Sequence, residues 1–218
     1  NSLGQLCCRH LCEVLKMNST LVALDLAFNP MLGSHEVKTL ANFIRLYSPP
    51  IEVLSVGQMV FGDDVSAAFA KVLALEDTRL RTLALPRNRL LSTSAKRLAQ
   101  SLVRNTVLTS LALPQNPLGS KGAGYLANML EHNSTIRYLD LESAGFDKPA
   151  ADALGRAISK NATLTQVDLS DNNMGAQGIR YIAEALHRNH TLKLIRLDGV
   201  SAGIVGAEFL ARALARND

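Results

Sequence analysis

A chain of 218 residues can bury one sizeable core or build one elongated array. Hydrophobic residues make up 47% of it and aromatics only 5%, with no Trp, so aliphatic side chains must fill the interior. No apolar run is long enough to span a membrane, no stretch reads as a signal peptide, the formal charge of +4 is mild, and three cysteines close together cannot frame a disulfide-built fold. The expectation is a cytoplasmic, reducing setting without a membrane partner.

The first segment, 1–18, reads as a helix without a strand. Cys7, Cys8, Leu11, Cys12 and Leu15 fall at helical spacing and overlay Gly122, Ala123, Leu126, Ala127 and Leu130 further along. The cysteines are therefore expected as small hydrophobes in a helix core, and no metal site is assigned. From Leu21 onward a strand pattern recurs. Leu21, Ile51, Leu80, Leu108, Ile136, Leu164 and Leu192 open it, at steps of 30, 29 and then 28 residues. Three residues after each comes an aliphatic (Leu24, Leu54, Leu83, Leu111, Leu139, Val167, Ile195), and another follows two further on. The L-x-x-L-x-L spacing holds a short strand with alternate residues inward. The slot three residues later holds Asn29, Asn88, Asn116 and Asn172, but Met59, Ala144 and Val200 in the other repeats.

Between strands, Gly122-Ala123, Leu126-Ala127 and Leu130 mark one amphipathic helix, matched by Gly178 to Leu186 and Gly206 to Leu214. The two longer repeats place their extra residues after this helix, at Tyr47–Pro50 and Glu76–Thr78. A strand plus a helix of 28 residues cannot bury its own apolar face, but stacked neighbours can.

This pattern resembles the leucine-rich repeats of the ribonuclease-inhibitor type over essentially the whole chain. The resemblance implies one array over 1–218, with about seven strand–helix repeats. The implied fold is a right-handed α/β solenoid, or horseshoe, with a parallel sheet on the concave side and helices on the convex side. It also implies that the Asn slot bonds backbone groups of the neighbouring turn, and that its loss marks an alternation of repeat types. Asn1-Ser2-Leu3-Gly4 overlays Asn116-Pro117-Leu118-Gly119, and Asn217-Asp218 overlays a turn that introduces a strand. The chain is therefore expected to be an interior segment of a longer protein, or one that associates end to end through uncapped termini.

Four Asn-x-Thr triplets begin at Asn18, Asn133, Asn161 and Asn189. Each Asn lies three residues before a strand-opening aliphatic, a place also held by Asp77, Asn105 and Asn217. Asn105 belongs to no such triplet and still keeps the place. The triplets are expected as by-products of a turn that needs a polar residue tolerant of left-handed geometry, not as glycan acceptors.

No catalytic residue or cofactor is assigned. Gly122-x-Gly124-x-x-Ala127 imitates a dinucleotide fingerprint but lies inside a repeat helix, where its small residues are expected to allow close packing. His187-x-x-His190 straddles a helix end with no ligand company and reads as surface.

The chemistry is expected on surfaces. Outward residues of the first four strands are small and nearly neutral; those of the last three are large and acidic. Tyr138, Asp140, Glu142, Asp168, Asp171, Arg196 and Asp198 are the partner-binding candidates, since a Tyr and an Arg on an open sheet are typical interface anchors. The competing explanation is a hydrated sheet without a ligand. A second surface is the acid-free basic segment 79–121, with Arg81, Arg87 and Arg89 as its candidate residues. Its charges scatter over the repeat and no aromatic lies among them, which disfavours nucleic acid.

The leading expectation is a non-enzymatic scaffold that binds a protein partner through the concave sheet and loop rim. The alternatives are a GTPase-activating protein of the Ran type, and nucleic-acid binding through 79–121. The family resembled also includes the sensing arrays of NLR-type receptors, nuclease inhibitors, actin-regulating proteins and flagellar components.

Overall fold

The computed structural model describes residues 5–29, 32–58 and 63–217. Asn1–Gly4, Met59 and Asp218 lie outside the described residues, as does the side chain of Cys7. The elements run α1 (Gln5–Met17), β1 (Ala23–Asp25), α2 (Ser34–Tyr47), β2 (Val53–Ser55), α3 (Asp63–Leu73), β3 (Thr82–Ala84), α4 (Ser92–Leu102) and β4 (Ser110–Ala112). They continue with α5 (Gly119–His132), β5 (Tyr138–Asp140), α6 (Lys148–Lys160), β6 (Gln166–Asp168), α7 (Gly175–Arg188), β7 (Leu194–Arg196) and α8 (Gly203–Leu214). The strands form one parallel sheet in chain order, β1 to β7, which does not close on itself. The expected solenoid of strand and helix layers is the fold found.

Register follows from the repeat. Equivalent residues pair directly, Leu54 with Leu83, Leu83 with Leu111, and Leu111 with Leu139. The middle residue of each strand points to the helices, so Leu54, Leu83, Leu111 and Leu139 are fully buried. The helices complete that core with one stripe. In α5 the buried residues are Gly122, Ala123, Leu126, Ala127, Met129 and Leu130, at helical spacing. Each fully buried leucine contributes about 1.5–3 kcal/mol relative to exposure. Leu24 and Ile195 are only partly buried, because β1 and β7 have a neighbour on one side alone. Cys8 and Cys12 sit buried in the core, as expected, and burial raises the Cys12 thiol above its usual range.

Two asparagine ladders stitch the repeats. In the slot after each strand, Asn172 donates to Leu141 O at 2.9 Å while its Oδ1 accepts from Ala144 N and Phe146 N at 3.0 and 2.9 Å. Asn116 does the same for Asn88 N and Leu90 N. Each Asn thus serves the repeat before it, and where Ala144 replaces one the preceding turn is bonded differently: Leu118 N donates to Asn116 O at 2.7 Å and Gly119 N to Ala144 O at 3.0 Å.

The second ladder consists of the turn asparagines, and here the geometry differs from expectation. Asn133, Asn161 and Asn189 are extended rather than left-handed, with Asn161 at φ −73 and ψ 131. Their side chains explain the residue type instead. Asn161 Nδ2 donates to Leu130 O (2.7 Å) and Asn133 O (3.2 Å) of the preceding repeat, and its Oδ1 accepts from Thr163 N and Leu164 N. Asn105, Asn133, Asn189 and Asn217 repeat this reach. Asp77 does not join them: it is exposed, and Thr78 Oγ1 accepts from Leu80 N in its stead.

Left-handed geometry occurs after the strand. Phe28, Gln58, Arg87, Gln115, Ser143 and Asp171 have φ between 50 and 60, with Gly199 at 64. Holding an L-residue there costs about 1–2 kcal/mol. Each of the six donates its N–H to a carbonyl of the next repeat, as Asp171 does to Asp198 O at 2.7 Å, and this offsets part of that cost.

Candidate functional site

Strands β5, β6 and β7 present their flanking residues away from the helices. Register sets Tyr138, Gln166 and Leu194 in one row across the three strands, and Asp140, Asp168 and Arg196 in the next. Neighbouring strands stand about 5 Å apart, so side chains adjacent in a row are within reach of each other. Glu142, Ser170 and Asp198 continue the face into the loop rim.

The contacts make one connected cluster. Tyr138 Oη donates to Asp140 Oδ2 at 3.3 Å, and Asp140 Oδ1 accepts from Glu142 N at 3.1 Å. Asp168, only 8% exposed, accepts from Ser170 N at 3.0 Å and faces Arg196 Nη1 at 3.6 Å. Glu142 Oε1 accepts from Gln115 Nε2 at 3.2 Å, and Gln115 Oε1 in turn accepts from Arg87 Nε. Ser170 Oγ is buried on the same face without a hydrogen-bond partner.

The electrostatics are those of an excess of negative charge partly withdrawn from water. Burial pushes the Asp140 carboxyl above the ordinary carboxylate range, and the charges of Asp168 and Glu142 add to the effect. The Glu142 N–H and the Tyr138 hydroxyl oppose it in part. The Tyr138 hydroxyl is raised by burial and then by Asp140 and Asp168, with Arg196 acting the other way. Arg196 is half exposed and reaches Asp168 but has no ion pair with Asp140 or Glu142. The cluster can therefore accept a further cationic group.

Of the sequence-derived candidates, Tyr138, Asp140, Glu142, Asp168 and Arg196 lie in this cluster. Asp171 and Asp198 stand at its exposed rim, joined to each other through the backbone bond from Asp171 N. Gly199 lies so close that a Cβ there would come within 2.2 Å of Asp171 Oδ1, so a side chain at 199 would displace that carboxylate. Gln115 and Ser170 were missed by sequence reasoning. Aligning the left-handed slot across repeats finds Gln115, since it is the residue equivalent to Arg87 and Ser143.

The basic candidates do not gather. Arg81 pairs with Glu52 at 3.3 Å, Arg87 is engaged with Gln115, and Arg89 is exposed on its own left-handed turn. Arg97 on α4 donates to Asp63 O at 2.7 Å. Among the described residues no group of three or more His, Cys, Asp and Glu could hold a metal ion, and no helix is long and apolar enough to cross a membrane.

A family model described as Leucine Rich repeat matches residues 104–127 and 160–183. No curated protein sequence matches the chain. Among solved structures, the leiomodin-1 actin-binding site 2 domain is similar with a TM-score of 0.60 and 24% identity, covering 68% of this chain and 86% of that one. The C-terminal domain of tropomodulin from Caenorhabditis elegans is similar with a TM-score of 0.58 and 17% identity, covering 68% and 90%. At these identities the likeness is one of fold. Neither the GTPase-activator reading nor the nucleic-acid reading gains support from these relatives.

Proposed function

We propose that this array of leucine-rich repeats is a non-enzymatic scaffold holding a protein partner on the sheet face of β5, β6 and β7. The observation that carries this is the half-buried cluster of Tyr138, Asp140, Glu142 and Asp168, in which one arginine stands among several carboxylates. The partner contributes a Lys or Arg side chain that enters between Asp140 and Glu142, with Tyr138 as the apolar anchor and Asp171 and Asp198 as the rim. The similar leiomodin-1 domain is an actin-binding site, which makes actin the first partner to test. The same reading puts the work inside the cell, where the buried thiols of Cys8 and Cys12 stay reduced.

The test is capture from lysate, and separately of purified actin, by wild type and by Tyr138→Ala with Glu142→Lys, across a salt series and with nuclease. The expected result is a nuclease-insensitive protein that the double variant loses while its melting curve is retained. Undiminished capture by a folded double variant, or capture that nuclease abolishes, removes the concave face from the account.

A further inference from the structure

A groove opens on the opposite, helical side of the array, between α4 and α5. Its volume is about 700 Å³. The corresponding grooves between α6 and α7 and between α7 and α8 measure about 130 and 330 Å³. The difference traces to two positions of the repeat. Helices α6, α7 and α8 each carry an ion pair there, one helical turn apart: Asp152–Arg156 at 3.1 Å, Arg180–Glu184 at 2.9 Å and Glu208–Arg212 at 3.6 Å. The equivalent residues are Lys96 and Gln100 in α4, and Gly124 and Asn128 in α5. No ion pair forms at either place, and Gly124 has no side chain to cover the groove.

Gly124 lies inside α5, where glycine is a poor helix former. The expectation that it serves close packing, as Gly122 does, is not met. A Cβ at Gly122 would stand 2.8 Å from Leu118 Cβ, whereas one at Gly124 would meet nothing within 4 Å. Its effect on the fold is to leave the groove open. Ala99 and Val103 line one wall and the ring of Tyr125 the other. Lys96 Nζ stands 5.7 Å from the centre of that ring, and Lys121 occupies the same rim. Neither lysine has an ion pair among the described residues, no carboxylate lines the groove, and the chain carries none between Thr78 and Leu130.

We propose that this groove is a second docking site, which takes an acidic segment of a partner protein. An apolar side chain of that segment rests on Gly124 against Val103 and Tyr125, and flanking carboxylates meet Lys96 and Lys121. Charge complementarity selects the class of partner, and the apolar floor between two cations selects the pattern within it. A nucleic acid would want a longer run of cations and several stacking rings, and the groove has two lysines and one ring.

The test uses a short fluorescein-labelled peptide with a central Leu between pairs of Glu, titrated by anisotropy. Wild type is expected to bind it, and Lys96→Glu with Lys121→Glu to weaken binding at least about tenfold. Gly124→Phe should abolish binding while the melting temperature holds, since nothing lies where the new side chain starts. Gly124→Asp with Asn128→Arg, which writes the α6 ion pair into α5, should do the same. The proposal is overturned if wild type does not bind the peptide, or if the groove-filled variants bind it as wild type does. It is equally overturned if replacing the central Leu by Gly changes nothing, or if an oligonucleotide of equal charge competes better than the peptide.

Discussion

Replacing Asn161 by Ala separates the two explanations for the Asn-x-Thr triplets. Asn161 is 7% exposed, and its side chain makes four bonds to backbone groups: Nδ2 to Leu130 O and Asn133 O, and Oδ1 from Thr163 N and Leu164 N. The alanine variant leaves the Leu164 N–H and the Leu130 carbonyl without partners in the interior. Each buried orphan costs about 1–3 kcal/mol, so a loss of about 3 kcal/mol is expected. For a chain of this size that lowers the melting temperature by roughly 6–12 °C. Thr163→Val removes the same triplet but only one side-chain bond, Thr163 Oγ1 to Asn161 Oδ1 at 3.2 Å, and should cost about 0.5 kcal/mol or less. Urea and thermal denaturation followed by circular dichroism measure both. If Asn161→Ala stays within about 0.5 kcal/mol of wild type, or Thr163→Val matches its loss, the inter-repeat ladder is not what holds asparagine at this place.

Asp140→Asn should act in opposite directions on stability and on binding. The native Asp140 carboxyl holds its proton to a higher pH than in the unfolded chain, so between the ordinary carboxylate range and the raised value the native state binds more protons. Stability therefore falls as pH rises through that window, and above it the ionised group is a net burden. The amide keeps an acceptor for Glu142 N–H, so the variant should melt higher than wild type at neutral pH, lose that part of the pH slope, and capture partner less well. A variant that melts lower at neutral pH would contradict the desolvation argument. Gly124→Ala is expected to gain about 1 kcal/mol in denaturation. Gly122→Ala should lose stability, because its Cβ would stand 2.8 Å from Leu118 Cβ and overpacking costs about 1–3 kcal/mol. The reverse order would refute the crowding at Leu118 as the reason for glycine at 122.

The layered fold was legible because its cause is periodic. Leu83, Leu111 and Leu139 recur at one spacing, and only a stack of repeats gives all of them a dry neighbour. The helix stripe of α5, the core cysteines of α1 and the extra residues after α2 and α3 could be placed by the same alignment. Less legible was the reason behind a recurring polar residue. Before β4, β5, β6 and β7 the turn asparagine stands for the amide bonds it makes to the preceding repeat, 31 and 28 residues earlier in the case of Asn161, and not for its own backbone angles. A one-dimensional pattern records that the residue is needed there and is silent on which partner needs it.

The candidate site shows the same division. That Tyr138, Asp140, Glu142, Asp168 and Arg196 share one face follows from strand alternation alone. That Arg196 reaches Asp168 while Asp140 and Glu142 have no ion pair, and that Gln115 ties Arg87 to Glu142, depends on distances between strands. Gly122 and Gly124 make the point within one helix. They are the same residue two positions apart, and a Cβ on one would stand 2.8 Å from Leu118 at the start of the helix while the other faces open space. The sequence by itself determined the repeat, the strand and helix layers and which residues face outward, because these depend on local period and on burying apolar surface. Tertiary structure alone decided which charges are compensated, which glycine is structural and where the helical side opens, because each depends on what the adjacent repeat brings within a few ångströms.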